Sequence, residues 1–467
     1  MKYISTRGQS PDLAFDDVLL TGLARDGGLY VPEAWPQFDA TDIQALAGLS
    51  YADCAFKVIR PFTTGTVDDN DLAEIIAASY STFDHTDVAP MKSLGNNIWL
   101  MELFHGPTLA FKDYAMQFLG RIFDHVLSKR GQRATIVGAT SGDTGPAAIE
   151  ACRGREAIDI FILYPEGRVS DVQRRQMTTV TDANVHNIAI KGTFDDCQNL
   201  VKALFNDQPF RDRCNLSAVN SINWARVMAQ MVYYFYGASQ LGAPGRPVSF
   251  AIPTGNFGNV FAGYGARQMG LEINQLIIGS NSNDILPRFF ESGRMQMGDV
   301  HPTISPSMDI QISSNFERLL FDMCDRDGAA VRSVMDTFAT TGEFALGANQ
   351  MQTIEHVIDA ARFDDTQTKK VINDVYRETG ELLDPHSAIG LAAGQARRHD
   401  KQTPLITLAT AHPAKFPDAV EAATGTRPQL PPHLADLFER DERESVLDND
   451  LAEVKAFVEA HRTQGNA

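Results

Sequence analysis

Lys112 stands in the stretch His105-Gly106-Pro107-Thr108-Leu109-Ala110-Phe111-Lys112-Asp113-Tyr114, behind small and apolar neighbours, at what reads as the start of a helix. A lysine is a nucleophile only when neutral. Desolvation by Ala110 and Phe111, and the positive end of a helix, both act to lower its pKa. An amine tuned in this way forms a Schiff base with a carbonyl. Taken alone, the same residue is a surface lysine at a turn, the usual place for lysine. Three loops further along the chain, each behind an apolar run, set it apart.

The first loop is Thr140-Ser141-Gly142-Asp143-Thr144-Gly145-Pro146, after the run Ala134 to Ala139. Two glycines let the backbone approach a ligand, the hydroxyls add donors, and a helix follows whose N–H groups point at whatever binds. Its functional reading is capture of a substrate carboxylate; its plain reading is helix capping by Ser141 or Asp143. The second loop is Pro253-Thr254-Gly255-Asn256-Phe257-Gly258-Asn259, with a helix expected from near Val260. Several backbone N–H groups at a helix start, with no side chain in the way, suit a phosphate monoester dianion. No Gly-Lys-Ser/Thr follows, so it is not a Walker loop, and its spacing is not that of a dinucleotide fingerprint. The plain reading is a glycine turn packing a strand against a helix. The third loop is Thr410-Ala411-His412-Pro413-Ala414-Lys415-Phe416, after the run Leu405 to Ala409. Thr410 sits just past a strand end, where a hydroxyl is ordinarily a cap. A lone histidine such as His412 is more often structural than chemical.

These loops need strands to hold them. Short apolar runs at Ala134 to Ala139, Ile158 to Tyr164, Val185 to Ile190, Val248 to Ile252, Leu276 to Ser280 and Leu405 to Ala409 alternate with helical stretches. That grammar gives an α/β fold with a mostly parallel sheet covered on both faces, whose ligands bind at the carboxyl ends of the strands. Before it, residues 1 to about 90 read as a helical unit. Helical spacing runs through Phe15 to Leu20, Leu46 to Arg60 and Asp71 to Ser81, with a turn and a short extended piece at Gly27 to Pro32. No chemistry shows there, so scaffold or active-site lid is the expected role. After it, Pro428 to Pro432 marks a turn before a polar, acidic C-terminal helix, and Thr463 to Ala467 are expected to fray.

Composition narrows the class. With 467 residues, 43% hydrophobic and 21% charged, the chain suits a soluble protein of two or three domains. A formal charge of -18 argues against nucleic acid and anionic membranes as partners. It also repels an anionic substrate, so any anion site must be built locally. Five cysteines without CxxC spacing fit reduced thiols in a cytoplasmic protein. No apolar run approaches the length of a membrane span, and Met1 to Arg7 lack the apolar core of a signal peptide.

The segments HGPTLAFKDYA, GATSGDTG, PTGNFGN and TAHPAKF, in this order, resemble the motifs of the threonine synthases, a branch of the fold type II (β-family) enzymes that use pyridoxal 5'-phosphate (PLP). The resemblance runs from Ile4-Ser5-Thr6-Arg7-Gly8 to the end of the chain. It takes in Arg168 to Ser170 with Gln173 and Met177, Lys191 to Asp196, Asn220 to Arg226, and Asp384 to Ala388. Tyr114 stands where many related dehydratases carry a small aliphatic residue or Arg, which argues against a serine dehydratase.

This resemblance implies two mostly parallel-sheet α/β domains with the active site between them, plus a helical N-terminal domain. The expected bounds are 1–90, a PLP-binding region over 91–425 and a C-terminal helical extension over 426–467. It implies that Lys112 holds PLP and that Gly255, Asn256, Phe257, Gly258 and Asn259 form its phosphate turn. Thr410 would face the ring nitrogen with a neutral hydroxyl, favouring elimination over transamination. Thr140, Ser141, Gly142, Asp143 and Thr144 would hold the substrate carboxylate. A phosphorylated substrate needs a second anion site, for which Arg226, Lys415 and Lys191 are the candidates. The implied reaction converts O-phospho-L-homoserine and water to L-threonine and phosphate, in a cytoplasmic monomer or homodimer without metal. A related PLP-dependent threonine/serine dehydratase, or a phospho-lyase acting on phosphohomoserine, is the alternative.

Overall fold

Continuous apolar runs become parallel strands, as the sequence predicts. The computed structural model describes residues 1–463, which fall into two compact units. One comprises Met1–Leu19, Leu23–Phe111 and Ser221–Pro428; the other comprises Leu20–Gly22, Lys112–Asn220 and the chain from Gln429 onward.

The first unit is built on a six-stranded sheet in the order Ile358–Arg362, Ile273–Ser280, Val248–Pro253, Leu405–Ala409, Ile98–Glu102, Met91–Gly95. All neighbours are parallel except the last pair, a hairpin at the edge. The helix Pro385–Arg397 packs on this sheet, and its Ala388 and Leu391 join Leu100, Ala251, Ile277 and Leu405 in one core. The helix Trp224–Gln240 is buried on nearly every side, which is why its sequence is apolar or aromatic almost throughout. In the N-terminal part, Tyr3–Ser5 pairs antiparallel with Tyr30–Pro32, and helices span Phe15–Thr21, Tyr51–Thr63 and Asp69–Tyr80. The second of these starts five residues later than the apolar spacing suggests. Gly48 takes a left-handed turn (φ 75°), and Ser50 Oγ accepts from the Asp53 N–H to cap a fresh start.

The second unit holds a five-stranded, wholly parallel sheet in the order Ser445–Leu447, Val185–Ile190, Ile158–Pro165, Ala134–Ala139, Leu216–Ser217. Its core gathers Val137, Phe161, Leu163 and Ile188 with Val454 and Val458 from the C-terminal helix Leu451–His461. The C-terminal segment thus carries the helix that its polar sequence suggests and, beyond that, an edge strand. Thr463 is not frayed: its N–H and hydroxyl both donate to Asp159, at 3.0 and 2.9 Å. Residues 464–467, also expected to fray, lie outside the described residues. All five cysteines are buried free thiols, as their spacing predicts; burial pushes those of Cys54 and Cys152 up to about 12.

Candidate active site

Lys112 is the first residue of the helix Lys112–Lys129, so its own amide lies at the positive end of eighteen aligned peptide dipoles. Its side chain is largely buried, with Nζ 3.5 Å from Asp143 Oδ2. Asp143 is itself 4% exposed, and its other oxygen accepts from Gln173 Nε2 at 2.8 Å. Gln173 in turn accepts from Ser170 Oγ at 3.0 Å. A carboxylate oriented from behind by an amide therefore faces the lysine. The stretch just before Lys112 is stitched along the end of the Leu405–Ala409 strand. The Phe111 N–H donates to the Thr410 carbonyl at 2.8 Å, and the His412 N–H to that of Leu109 at 3.0 Å. Leu109 takes a positive φ of 62° there, a strained state for a branched residue, held by burial.

The loop Thr140 to Gly145 is ordered from within. Thr140 Oγ1 accepts from the N–H groups of Gly142 and Gly145 and donates to the Gly142 carbonyl. Thr144 opens the helix Thr144–Cys152, and Asp143 at its N-cap makes no side-chain cap bond. Capping by Asp143 is thereby excluded: its carboxylate turns to Gln173 and Lys112 instead. Ser141 is exposed, and Gly142 lies beside the Gln173 amide.

The turn after Val248–Pro253 has the features an anion requires. The helix Gly258–Gln268 begins there, two residues before its expected start, with Phe257 at its N-cap in the left-handed region (φ 64°). The Phe257 ring is buried against Phe316 at 5.3 Å, which holds the strained backbone in place. Gly255 has no alternative residue, since a Cβ there would lie 2.8 Å from the Ser307 carbonyl oxygen. Asn259 is 6% exposed. Its Oδ1 accepts from the hydroxyls of Tyr233 and Tyr234 at 2.7 and 2.8 Å. Its buried Nδ2 has no acceptor among the described residues. A buried donor left without an acceptor, at a helix start among glycines, fits a phosphate group.

Thr410 is buried at the strand end, and a relay fixes its backbone. The Thr410 N–H donates to Ser387 Oγ at 3.0 Å, and Ser387 Oγ donates to Asp384. Asp384, fully buried, also faces His386 Nδ1 at 2.8 Å, while His386 Nε2 accepts from the Ser307 N–H at 3.2 Å. Since Nε2 accepts, Nδ1 is the donor to Asp384. The Asp384 to Ala388 motif is thus a bracket for Thr410 on one side and for the Ser307 segment behind Gly255 on the other.

The three cations separate sharply. Arg226 lies in the first turn of Trp224–Gln240, 4% exposed, and burial pushes its guanidinium down to about 10, still charged at neutral pH. Lys415 is fully buried, with Nζ donating to the Thr108 carbonyl at 2.6 Å. Lys191 is exposed in a surface ion pair with Asp448, 2.9 Å away. His412 turns out to be structural. Its Nδ1 accepts from the Ala414 N–H, and burial, aided by the neighbouring His105, pushes its pKa down to about 4. Burial pulls His105 the same way, but Glu102 at 2.8 Å and Asp84 at 3.0 Å outweigh it and hold its pKa above the ordinary value.

Residue types alone did not reveal Gln173 behind Asp143, or the Asp384–Ser387 bracket, as parts of the site. The signal was there in both cases, as polar residues inside otherwise apolar stretches, but their partners are far away in sequence.

The family models agree with this arrangement in chain order. "Threonine synthase N terminus" matches residues 2–80, "Pyridoxal-phosphate dependent enzyme" residues 86–341, and "Threonine synthase, C-terminal" residues 387–458. A threonine synthase from Pseudomonas aeruginosa is 56% identical over 466 residues, covering 100% of this chain and 99% of that one. Among solved structures, PLP-bound threonine synthase from Brucella melitensis superposes with a TM-score of 0.97 at 55% identity over 99% of both chains. Threonine synthase from Escherichia coli superposes with a TM-score of 0.83 at 29% identity, over 99% of this chain and all of that one. The chain belongs to the threonine synthase family, within the fold type II enzymes that use pyridoxal phosphate.

Proposed function

We propose that the chain makes L-threonine and phosphate from O-phospho-L-homoserine and water, with Lys112 as its catalytic residue. The threonine synthase activity rests on family membership over the whole chain. The structural observation that carries the residue assignment is the pairing of the largely buried Lys112 Nζ with Asp143, at a helix start.

When bound, pyridoxal phosphate supplies an electron sink for the substrate's Cα. Lys112 would anchor it through Nζ, take the proton from Cα and then one from Cβ as phosphate leaves Cγ, and return a proton to Cγ; after water adds its hydroxyl at Cβ, Lys112 would return the last proton to Cα. Asp143 holds the lysine ammonium between these transfers. The N–H groups of Asn256, Phe257 and Gly258 and the Asn259 amide grip the cofactor phosphate, with Gly255 giving the close approach. Thr410 presents an uncharged hydroxyl to the ring nitrogen. Thr140, Ser141, Gly142 and Thr144 receive the substrate carboxylate; Thr140 does so through the loop it braces. Arg226 and Lys415 supply the positive charge that draws in the substrate phosphate. Lys415 acts through its field, because its Nζ is engaged by Thr108.

The same proposal divides the chain at 1–90, 91–425 and 426–467; two family models meet near the first boundary, at 80 and 86, whereas the C-terminal model, 387–458, straddles the second. It places the enzyme in the cytoplasm, as a monomer or homodimer, without nucleic-acid partners. Among the described residues, no helix is long and apolar enough to cross a membrane.

Lys112→Ala is expected to abolish both the yellow colour of the purified protein and threonine formation from phosphohomoserine, measured together with phosphate release. A coloured, active variant would remove Lys112 from the mechanism. Release of 2-oxobutyrate in place of threonine by the native protein would replace the synthase with a lyase.

A further inference from the structure

Two carbonyls of the 255–259 turn are held from one side by a segment of the same unit. Ser313 Oγ donates to the Gly255 carbonyl at 2.6 Å. The Asn315 N–H and its Nδ2 both donate to the Asn256 carbonyl, at 3.0 and 3.1 Å. In a trans peptide the C=O and the following N–H point in opposite directions. Fixing the Gly255 and Asn256 carbonyls toward Ser313 and Asn315 therefore turns the N–H groups of Asn256 and Phe257 the other way. Among the described residues, neither N–H has an acceptor.

The orientation of Asn315 is itself dictated. Asn315 is fully buried at the N-cap of Phe316–Met323, yet its side chain makes no cap bond. Its Oδ1 accepts from Arg318 Nη1, and its Nδ2 donates to the carbonyls of Ser221 and Asn256. A guanidinium can only donate and a carbonyl can only accept, so the amide has one orientation that satisfies both. Arg318 is fully buried; its Nε donates to Tyr30 O at 3.0 Å and its Nη2 to Ile222 O at 2.6 Å. It lies over the Trp224 ring at 5.6 Å. Burial pushes its pKa down to about 9, which leaves it charged at neutral pH. Such a cation, surrounded by carbonyls, is costly to bury unless its geometry is needed.

We infer that Ser313, Asn315 and Arg318 are positioning residues: a clamp behind the 255–258 turn that aims its N–H groups at the cofactor phosphate before the cofactor arrives. The inference rests on the reading of this turn as the PLP phosphate site. None of the three touches the reacting atoms.

The test compares PLP with pyridoxal, which lacks the phosphate. Apo-protein, prepared by removing the cofactor, is titrated with each, and binding to Lys112 is followed by visible absorbance. Ser313→Ala and Arg318→Lys are expected to weaken PLP about tenfold, roughly the worth of one hydrogen bond at the upper end of its range, and to leave pyridoxal within about twofold. Ser313→Thr, which keeps the hydroxyl, is expected to restore PLP affinity. Ser313 is only half-buried, so its alanine variant is expected to fold whether or not Arg318→Lys does. Unchanged PLP affinity in Ser313→Ala, or parallel loss of PLP and pyridoxal, overturns the clamp. A native apo-protein that binds pyridoxal as tightly as PLP overturns the phosphate-turn reading beneath it.

Discussion

At the scale of single residues, the segment around Lys112 holds two histidines whose surroundings pull their pKa values in opposite directions. His105 lies between Glu102 and Asp84, which favour its charge; His412, buried beside it, is pressed toward neutrality. His412 has a folded pKa of about 4, below the ordinary value near 6.5. Between those values the unfolded chain binds a proton that the folded chain does not. Its contribution is therefore complete above about pH 6.5 and is lost as the pH falls toward 4. His412→Asn retains a side-chain acceptor for the Ala414 N–H but removes the titration. The difference in Tm between the native protein and this variant is expected to be flat above pH 7 and to move in favour of the variant as the pH drops from 6.5 to 4. A difference independent of pH would mean that His412 titrates normally.

At the scale of elements, the site lies where strands end and helices begin. This follows from sheet geometry: the carboxyl ends of parallel strands open onto helix N-termini, where N–H groups are free to bind anions. The loop Thr140 to Gly145 is braced by its own polar contacts, and the 255–259 turn by Ser313, Asn315 and the packing of Phe257 on Phe316. In the second unit, Thr140 Oγ1 gathers the N–H groups of Gly142 and Gly145. A Cβ on residue 145 would lie 2.5 Å from both Met177 Sδ and Thr140 Cγ2. Gly145→Ala is expected to lower stability by about 1–3 kcal/mol through overpacking and to raise KM for the phosphorylated substrate. Urea denaturation and steady-state kinetics check the two effects. An unchanged urea midpoint would show that Met177 yields without cost.

At the scale of the whole molecule, the acidic surface opposes the chemistry inside. A net charge of -18 repels a dianionic substrate at long range, and the buried Arg226 and Lys415, in the role proposed for them, act only close by. Raising ionic strength from about 0.01 to 0.15 M shortens the Debye length from about 30 to 8 Å. The outer repulsion is then screened while the inner cations, shielded from salt, keep their pull. kcat/KM for O-phospho-L-homoserine is expected to rise over that range. A steady fall would mean that surface cations, not buried ones, capture the substrate.

The sequence by itself determined the strands, the Lys112 helix and the glycine turn, because these depend on local patterns: apolar runs, a helix start, residues without Cβ. The strands at Ala134, Val185 and Leu405 begin and end where their apolar runs do. The short edge strand Ser445–Leu447 was not legible, since three residues with an exposed Val446 carry no pattern and only hydrogen bonds to Ile188–Ile190 make them a strand. Tertiary structure alone decided what each of these polar residues meets. Lys191 and Arg226 look alike in sequence, yet one pairs with Asp448 in solvent and the other is buried in a helix. Asp143 reads as a helix cap but faces Lys112, and Ser313 and Asn315 read as nothing until they meet the carbonyls of Gly255 and Asn256. A hydrogen bond depends on distance and direction between groups far apart in the chain, and spacing along a sequence encodes neither.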